Sequence, residues 1–351
     1  MKILYFGFYK PSYPRNKIII DGLRANGANV VECNERSQSF IRFFRILVKY
    51  FKIKKDFDVM VVGFPGQEAM FLAKLICRKP IVFDVFTSHY MGYILDRKYF
   101  SKNSLRAYYY RFLDRWSCKL ADKIILDTQA HIDFFVKEFK LNPNKFSRIW
   151  LGANEDLHKP ALASSGHNYF SALFWGSFIP LQGVDYIIQA AKILENEEVS
   201  FNLIGKGQTF DYCFKLARDL GLKNINFLER QPDEVLANYI HNTNICLGTF
   251  SDSLKADITI QNKIFEALAS KKTIITEETS SIRELLNDQE GVVFCRKASA
   301  EDLADKIRFL KKNPVLNQEI ALRGYNLFRE KLTAKKITED LVSIINNIQN
   351  S

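Results

Sequence analysis

Residues 171–194 read SALFWGSFIPLQGVDYIIQAAKIL, and this stretch predicts a strand, a loop and a helix in direct succession. The apolar run 171–178 has the length of a buried strand, and the loop 179–183 ends in glycine. Residues 184–195 then predict a helix. Short apolar strands that alternate with helices are typical of parallel sheets, so this stretch favours an α/β fold.

The same order of strand, loop and helix recurs along both halves of the chain. It opens the first half at residues 2–9, KILYFGFY, and the second half at 171–178. Helices are expected near 16–26, 40–54, 103–121, 184–195, 209–220, 233–241, 262–270 and 281–287, with a helical tail over 316–350. Two such series predict two Rossmann-like domains that face each other, joined near residues 151–168, a segment rich in Gly, Pro, Ser and Asn.

Composition limits the class of protein. The 351 residues are 47% hydrophobic, which is enough for two ordinary cores. No run approaches the roughly 20 apolar residues of a membrane-spanning helix, and the N-terminus is interrupted too early for a signal peptide. The scattered cysteines are typical of reduced core residues in a cytoplasmic protein. They are Cys33, Cys77, Cys118, Cys213, Cys246 and Cys295.

Charge divides the chain. Residues 1–152 hold 27 Lys and Arg against 13 Asp and Glu, a net charge of +14, whereas the remainder carries −3. The first half is therefore expected to meet an anionic surface or acceptor. No helix-turn-helix, zinc-finger or aromatic RNA-binding pattern supports nucleic acid as that partner.

The predicted helix 40–54, FIRFFRILVKYFKIK, is basic and amphipathic. Its cations recur at three- and four-residue steps, and aromatic and apolar residues occupy another face. The cations are Arg42, Arg45, Lys49 and Lys52, and the apolar residues are Phe40, Phe44, Leu47 and Phe51. Two interpretations stay open: an interfacial helix at an anionic membrane, or a Rossmann helix with one face in the core and a solvated stripe.

The stretch NKIFEALAS, residues 262–270, raises a question about function. Its apolar residues form one helical stripe, whereas Asn262, Lys263 and Glu266 share another face in the first two turns. Ligands of parallel sheets bind where strands end and helices begin, and helix N-termini favour anions. Lys263 suits a diphosphate there, and Glu266 suits ribose hydroxyls. The alternative is an intrahelical Lys–Glu pair on a solvated face.

Four stretches of the second half carry a family resemblance: 174–194, 201–208, 224–250 and 262–276. Their order and spacing resemble the nucleotide-sugar-binding domain of retaining family 4 glycosyltransferases of the GT-B fold. The first half is similar more loosely, through PRN, FDVFTS, DRK and DTQAH. The resemblance implies transfer of a sugar from a nucleoside-diphosphate sugar to a glycan or lipid-linked acceptor, with retained anomeric configuration and without an obligatory metal or other cofactor.

The resemblance also implies a domain plan. Residues 1–155 would form the acceptor domain, 165–334 the donor domain, and a C-terminal helix at about 335–351 would cross back to the first domain. Such enzymes often meet lipid-linked acceptors at the inner face of the membrane. The expected location is therefore cytoplasmic, with a peripheral membrane contact through helix 40–54.

Two departures from the family pattern concern the donor site. The family often has two glutamates seven residues apart; Glu266 matches the second, but Ile258, with Asp257 beside it, occupies the first position. The family also often has an Arg and a Lys in the loop where this chain has Ser177 and Gln182. Because these phosphate-binding cations are replaced, Lys263 is expected to carry more of the compensation.

Candidate site residues follow from the loops at strand ends. The donor-binding candidates are Gly176, Ser177, Gly205, Lys206, Arg230, Gln231, Asn262, Lys263 and Glu266. The acceptor-binding candidates in the first half are Tyr13, Asn16, Asp96 and Arg97, and the catalytic candidates are Arg15, His89 and His131. A pair of carboxylates suited to nucleophile and acid is not evident. The resemblance instead implies front-face attack, in which the leaving phosphate takes the acceptor proton.

Three other functions remain as alternatives. A sugar-nucleotide epimerase would need acid and base groups around the sugar. A catalytically weak GT-B protein could serve as a nucleotide-sugar-binding or scaffold partner, which the replaced glutamate and cations would favour. A NAD-dependent dehydrogenase is the weakest, since no GxGxxG follows either first strand.

Overall fold

The computed structural model describes residues 1–37, 39–53, 56–161 and 169–349, which form two units. Unit 1 comprises Met1–Gly152 and Leu332–Ser351, and unit 2 comprises Ala153–Lys331. The chain leaves unit 1 within the segment 151–168 where the sequence predicts a join. Residues 162–168 of that segment lie outside the described residues.

Unit 1 contains a parallel six-stranded sheet with helices on both faces. Its strands β1 to β6 are Lys2–Gly7, Asn29–Asn34, Val59–Val62, Ile81–Asp84, Lys123–Leu126 and Phe146–Arg148. The order across the sheet is β2-β1-β3-β4-β5-β6. Since both faces are covered, the central strands are continuous apolar runs instead of alternating ones.

The helices of unit 1 that precede unit 2 lie between these strands. Helices α1 to α5 are Pro14–Ala25, Ile41–Lys52, Gln67–Ile76, Leu105–Leu120 and Gln129–Phe139. A π-helical turn spans Met91–Asp96 and a short 3-10 turn spans Pro143–Lys145. The observed α2 is shorter than the predicted helix 40–54, and Lys54 lies outside the described residues.

Unit 2 repeats the architecture with a different strand order. Its strands β7 to β12 are Phe170–Trp175, Val199–Ile204, Ile225–Leu228, Ile245–Leu247, Ile274–Glu277 and Val292–Cys295. They are arranged β12-β11-β10-β7-β8-β9, all parallel. This is the doubly wound order of dinucleotide-binding folds, in which the connections reverse direction between β7 and β10.

The helices of unit 2 include two that the sequence analysis placed differently. Helices α6 to α13 are Val184–Ile193, Phe210–Asp219, Asp233–Asn242, Leu254–Ile258, Asn262–Ala269, Ser280–Arg283, Ala300–Lys312 and Pro314–Leu327, and a 3-10 turn spans Pro180–Gln182. The short α9 lies where no helix is predicted. The predicted helix 281–287 is wrong in extent, because α11 ends at Arg283.

The predicted tail helix 316–350 is wrong as one element. Helix α13 ends in unit 2, a π-helical turn spans Phe328–Leu332, and α14 at Ala334–Gln349 packs in unit 1. There α14 crosses α1 so closely that a Cβ on Gly22 would lie 2.1 Å from the Ala334 carbonyl oxygen. The Asn26 amide donates to the Thr338 hydroxyl at 2.9 Å. The predicted return of the C-terminal helix to the first unit is confirmed.

Candidate functional site

The crevice at the carboxyl edge of the second sheet lies between β7 and β10, where the strand order reverses. The loop 176–183 follows β7 and the loop 248–253 follows β10. Helix α10 begins beside them. Its N-cap residue Gln261 turns its side chain back to the Thr259 hydroxyl, so that side chain does not cap the helix. Open sheets bind ligands at this kind of edge.

Two glycines let the loops after β7 and β8 approach each other. Gly176 has a φ of 144° and Gly205 a φ of 141°, conformations that other residues rarely adopt. A Cβ on Gly205 would stand 1.9 Å from the Gly176 carbonyl oxygen. The Gly176 N–H also donates to the Ile204 carbonyl at 3.0 Å. The two loops therefore pack against each other and form one surface above β7 and β8.

Lys263 lies directly beneath this surface. Its ammonium nitrogen donates to Gln182 Oε1 at 2.6 Å and to the Gly248 carbonyl at 3.2 Å. The nitrogen is 3.7 Å from the ring centre of Phe174 and would lie 3.6 Å from a Cβ on Gly176. The side chain is 4% exposed. The interpretation of Lys263 as half of a solvated ion pair is therefore wrong, since the side chain turns inward to the crevice.

Burial gives this lysine an unusual ionisation. Desolvation holds the pKa of Lys263 well below its usual value, and the nearby Glu266 carboxylate opposes that effect only in part. Two uncharged oxygen acceptors and an aromatic ring are weak substitutes for an anion. An incoming anion would therefore stabilise the protonated form of Lys263.

Glu266 lies one turn further along α10 and is half-buried. Its carboxylate accepts a hydrogen bond from the indole nitrogen of Trp175 at 2.6 Å. Trp175 is the last residue of β7, immediately before Gly176. The indole thus fixes the carboxylate at the crevice, a contact that joins residues 91 positions apart and has no signal in the local sequence.

The other predicted donor residues lie at varying depth along the carboxyl edge of the second sheet and at the start of α10. Ser177 and Arg230 are exposed, and Gln231 and Asn262 are half-buried. Lys206 is exposed and forms an ion pair with Glu229 at 2.6 Å. Since surface pairs are weak, Lys206 can exchange this partner at little cost.

The position of the replaced family glutamate is apolar and buried. Ile258 ends α9, while its neighbour Asp257 pairs with Lys297 and accepts from Ser280. A different carboxyl group, Glu277 at the end of β11, is 1% exposed, and neither of its oxygens has a hydrogen-bond partner among the described residues. Burial raises the pKa of Glu277 to about 8. Sequence reasoning missed this residue, although a glutamate ending an apolar strand was visible.

In unit 1, Arg15 lies in the first turn of α1 and not in the preceding loop, as the sequence analysis assumed. It is 1% exposed and forms a buried ion pair with Asp84 at 2.9 Å. Its Nη1 donates to the carbonyls of Ile149 and Trp150. The guanidinium therefore links the end of β4 to the residues that follow β6. This contact gives Arg15 a structural role.

Asn16 and Tyr13, predicted to bind the acceptor, also lie deeper than expected. The Asn16 amide accepts from the Tyr5 hydroxyl and the Phe64 N–H, and donates to the Phe64 carbonyl at 2.6 Å. Tyr13 is the N-cap of α1, and its half-buried ring packs against Phe64 and Phe86. Asn16 has no exposed surface for an acceptor in this structure, whereas Tyr13 has some.

The two predicted catalytic histidines differ in setting. His131 is fully buried in α5, and its Nδ1 lies 2.7 Å from an Asp127 carboxylate oxygen. Its Nε2 has no partner among the described residues. His89 precedes the π-helical turn, stacks on Tyr93 and Tyr110, and has a pKa lowered to about 4 by burial. The prediction of His131 in an accessible loop is wrong, because the helix begins at Gln129.

Asp96 and Arg97 end the π-helical turn and were also assigned to a loop. Asp96 is 5% exposed, and Arg97 lies over the rings of Tyr93 and Tyr99. A second buried acid, Asp114 of α4, accepts from the Ser88 hydroxyl and from two backbone N–H groups. Burial raises the pKa of Asp114 to about 6. This acid fixes the segment that carries His89.

Three further properties concern the described residues as a whole. In the described ranges, no group of three or more His, Cys, Asp or Glu side chains is arranged to hold a metal ion. No helix in those ranges is long and apolar enough to cross a membrane. All six cysteines are buried and free.

The fold and the crevice together define a GT-B protein, with two Rossmann-like units and a nucleotide-type edge in the second. Residues 159–327 match the family model of glycosyl transferases group 1. The match covers almost all of unit 2 and includes every donor-site candidate.

The relatives found among curated sequences are distant. An uncharacterized glycosyltransferase of Methanocaldococcus jannaschii is 24% identical over 238 residues, which are 67% of this chain and 61% of that protein. An uncharacterized 41.2 kDa protein in the cps region of Klebsiella pneumoniae is 25% identical over 178 residues, 48% of each chain. The aligned regions thus span less than two thirds of both relatives.

Solved structures match over nearly the whole chain. The Anabaena protein HepE, in a complex with UDP and glucose, has a TM-score of 0.74 and 17% identity, covering 99% of this chain and all of that one. A sucrose-phosphate synthase of Thermosynechococcus elongatus has a TM-score of 0.75 and 13% identity, covering 99% and 98%. These likenesses confirm the predicted fold class.

Proposed function

We propose that the chain is a glycosyltransferase that transfers a sugar from a nucleoside-diphosphate sugar to a glycan or lipid-linked acceptor in cell-surface glycan synthesis. The observation that carries the proposal is Lys263, a buried lysine whose nitrogen has only uncharged oxygen acceptors among the described residues. It lies beneath Gly176 at the N-terminus of α10. Helix N-termini and buried cations both favour phosphate groups.

The donor would lie along the edge of unit 2. Its diphosphate would meet the backbone at Gly176 and Gly205 and the Lys263 ammonium, which would then exchange Gln182 for a charged partner. The ribose hydroxyls would donate to Glu266, whose carboxylate Trp175 already orients. Arg230 and Gln231, which follow β9, would frame the base. UDP is the first nucleotide to test, since HepE is solved with UDP-glucose.

The transfer would proceed with retention and from the front face of the sugar. The bond between the anomeric carbon and the phosphate oxygen breaks, the acceptor oxygen forms a bond to the same carbon, and its proton passes to the leaving phosphate. The chain's part is to stabilise the leaving diphosphate with Lys263 and the dipole of α10. Retention is inferred from the family resemblance. No covalent nucleophile is assigned.

Replacing Glu266 tests the donor site. Glu266→Ala is expected to weaken UDP binding and UDP-sugar turnover by about 10- to 100-fold, because hydrogen bonds to a charged group contribute about 1.5–3 kcal/mol. The measurements are calorimetric UDP affinity and release of UDP from UDP-sugars. Glu234→Ala, an exposed glutamate in the first turn of α8, is the matched control. Unchanged UDP affinity in Glu266→Ala would refute the assignment.

We also propose a peripheral contact between α2 and an anionic membrane at its cytoplasmic face. The structure exposes apolar side chains of α2 that a solvated helix would not need: Phe40 is 90% exposed, Phe44 69% and Phe51 61%. The core contact is made instead by Ile46 and Tyr50. Two of the predicted cations have protein partners, since Arg42 pairs with Glu68 and Lys49 with Glu35. Arg45 and Lys52 are exposed beside the aromatic side chains.

The charge contribution of α2 can be measured by vesicle co-sedimentation. Arg45→Gln/Lys52→Gln is expected to lose about tenfold or more in binding to anionic vesicles at low salt, since each interfacial cation contributes about 1 kcal/mol. The loss should shrink at high salt, where exposed charges are screened. Lys215→Gln/Arg218→Gln on α7 removes the same charge from unit 2 and should bind like wild type. If both variants sediment equally at low salt, α2 is only a solvated helix and the proposed membrane contact is wrong.

A further inference from the structure

Helix α4 presents an unusual row of exposed side chains in unit 1. Leu105 is 87% exposed, Tyr108 62%, Tyr109 50%, Phe112 51% and Trp116 42%. These residues recur at three- and four-residue steps, so they form one stripe along the helix. The opposite side of α4 packs in unit 1, where it buries Ala107, Leu113, Ser117 and Cys118. The exposed stripe is therefore a second apolar face that the fold of unit 1 does not use.

The stripe is continuous with the exposed face of α2 through α3. Phe112 of α4 stacks on Phe71 of α3 at 6.2 Å with an interplanar angle of 15°. Glu68 of α3 pairs with Arg42 of α2, and the Tyr50 hydroxyl of α2 donates to the Ile76 carbonyl at the end of α3. The three helices thus form one side of unit 1, which we call the aromatic face. It comprises the exposed residues of α2, Leu75 of α3 and the stripe of α4.

The charge of the aromatic face selects its partner. The only acidic residue of α4 is Asp114, which is buried and fully engaged with Ser88 and the backbone. Arg106 and Lys119 are exposed along the same helix, whereas the exposed Arg111 pairs with Glu138 of α5. Helix α2 has no acidic residue at all. A protein partner would need matching acidic groups, whereas a bilayer with anionic headgroups supplies negative charge over the whole area at once.

The residue types also fit a bilayer. Tyrosine and tryptophan are enriched where membranes meet water, because their rings are apolar and their polar ends remain hydrated. Lys119 lies 4.7 Å from the Trp116 ring and Arg106 lies 4.3 Å from the Phe100 ring. Each pair places a cation beside an aromatic ring. This arrangement suits a bilayer, in which charged headgroups lie above the apolar acyl chains. Apolar burial of this kind does not depend on salt.

We propose that α4 inserts its aromatic stripe into an anionic bilayer and that unit 1 docks through the whole aromatic face. The proposal extends the membrane contact proposed for α2 and adds a second, apolar element to it. Helix α2 contributes charge that steers unit 1 to the surface. Helix α4 contributes apolar area that keeps it there after the charges are screened. A lipid-linked acceptor would then be presented in the same plane as unit 1.

The test is co-sedimentation of the full chain with mixed phosphatidylcholine–phosphatidylglycerol vesicles at 0.1 M and 1 M salt, where the Debye length is about 10 Å and 3 Å. Leu105→Ser/Tyr108→Ser/Phe112→Ser is expected to lose about tenfold or more in partitioning, since interfacial binding scales with the apolar area buried. The loss should persist at high salt, unlike that of the α2 variant. Tyr169→Ser/Tyr212→Ser/Val315→Ser removes three exposed apolar residues from unit 2 and is the matched control.

Each outcome decides the proposal. If the α4 variant sediments like wild type at both salts, the stripe does not insert. If wild type without lipid is a dimer that the α4 variant dissociates, as measured by mass in solution, the stripe binds a second copy of the chain, and the membrane proposal is overturned. UDP affinity of the α4 variant should equal that of wild type. A defect in UDP binding by wild type would instead count against the proposed transferase activity and leave the vesicle result standing.

Discussion

Lys263→Met is expected to lose about 10- to 100-fold in affinity for UDP and to change the affinity for uridine only slightly. A charged hydrogen bond contributes about 1.5–3 kcal/mol, and only the diphosphate can form one with Lys263. Titration calorimetry with both ligands measures the difference. Lys215→Met, which removes an exposed cation from α7 of the same unit, is the comparison variant and should bind UDP like wild type. Equal losses for UDP and uridine in Lys263→Met would show that Lys263 does not contact phosphate.

The same substitution should leave the unliganded protein as stable as before or more stable. Burial lowers the pKa of Lys263, so the unfolded chain binds its proton more tightly than the folded chain does. The free energy of unfolding should therefore rise with pH from the lowered pKa of the folded state up to about 10.5, and Lys263→Met should lack that rise. A variant that gains stability and loses diphosphate affinity identifies a residue retained for binding.

Proton uptake offers an independent check on this lysine. Two phosphate charges beside Lys263 would raise its pKa, so UDP should bind wild type with uptake of protons. The heat of binding would then vary with the ionisation enthalpy of the buffer. That variation should be much reduced in Lys263→Met, whereas uridine should show little in either protein.

The fold could be predicted from the sequence because its central strands are short apolar runs buried on both faces, each followed by a glycine or polar loop. Strand β7 with its loop and α6 is the clearest case, and all of its boundaries lie within a few residues of the prediction. Helices α3, α5 and α12 were not predicted, and neither was the π-helical turn at Met91–Asp96. Each of the three helices begins within a few residues of a strand end, so no long loop marks its start in the sequence.

The site was predictable only where its parts are local in sequence. Lys263 and Glu266 are close neighbours on one helix, so their shared position in the fold could be inferred. Their actual partners, Gln182 and Trp175, are 81 and 91 residues away, and those contacts decide how each side chain is oriented. The burial of individual side chains could not be predicted from the sequence either. Arg15, Asn16 and His131 follow strand ends as ligand-binding residues do, yet each is enclosed by its own unit.

Arg15→Met is expected to lower the free energy of unfolding by about 3–5 kcal/mol at pH 7, because it leaves Asp84 buried without its cation. The carbonyls of Ile149 and Trp150 would also lose their donor. Burial already raises the pKa of Asp84 against the effect of the guanidinium, and removing Arg15 would raise it further. The folded state of the variant would then bind the proton of Asp84 more tightly than the unfolded chain does. The deficit relative to wild type should therefore grow with pH between the raised pKa of Asp84 in folded wild type and its still higher pKa in the variant, and it should shrink in acid. Chemical denaturation across this pH range measures it.

A double variant separates the structural role of Arg15 from a catalytic one. Arg15→Met/Asp84→Leu removes both charges and should recover most of the lost stability, since a buried ion pair replaced by apolar side chains is often neutral in free energy. Arg15→Lys keeps the charge but cannot reproduce the two-carbonyl contact, and should fall between wild type and Arg15→Met. If the double variant is as stable as wild type and transfers sugar at the wild-type rate, Arg15 only holds β4 and β6 together. If it is stable and UDP-competent but inactive in transfer, the guanidinium acts in the reaction, and its burial in the unliganded chain must be relieved when substrates bind.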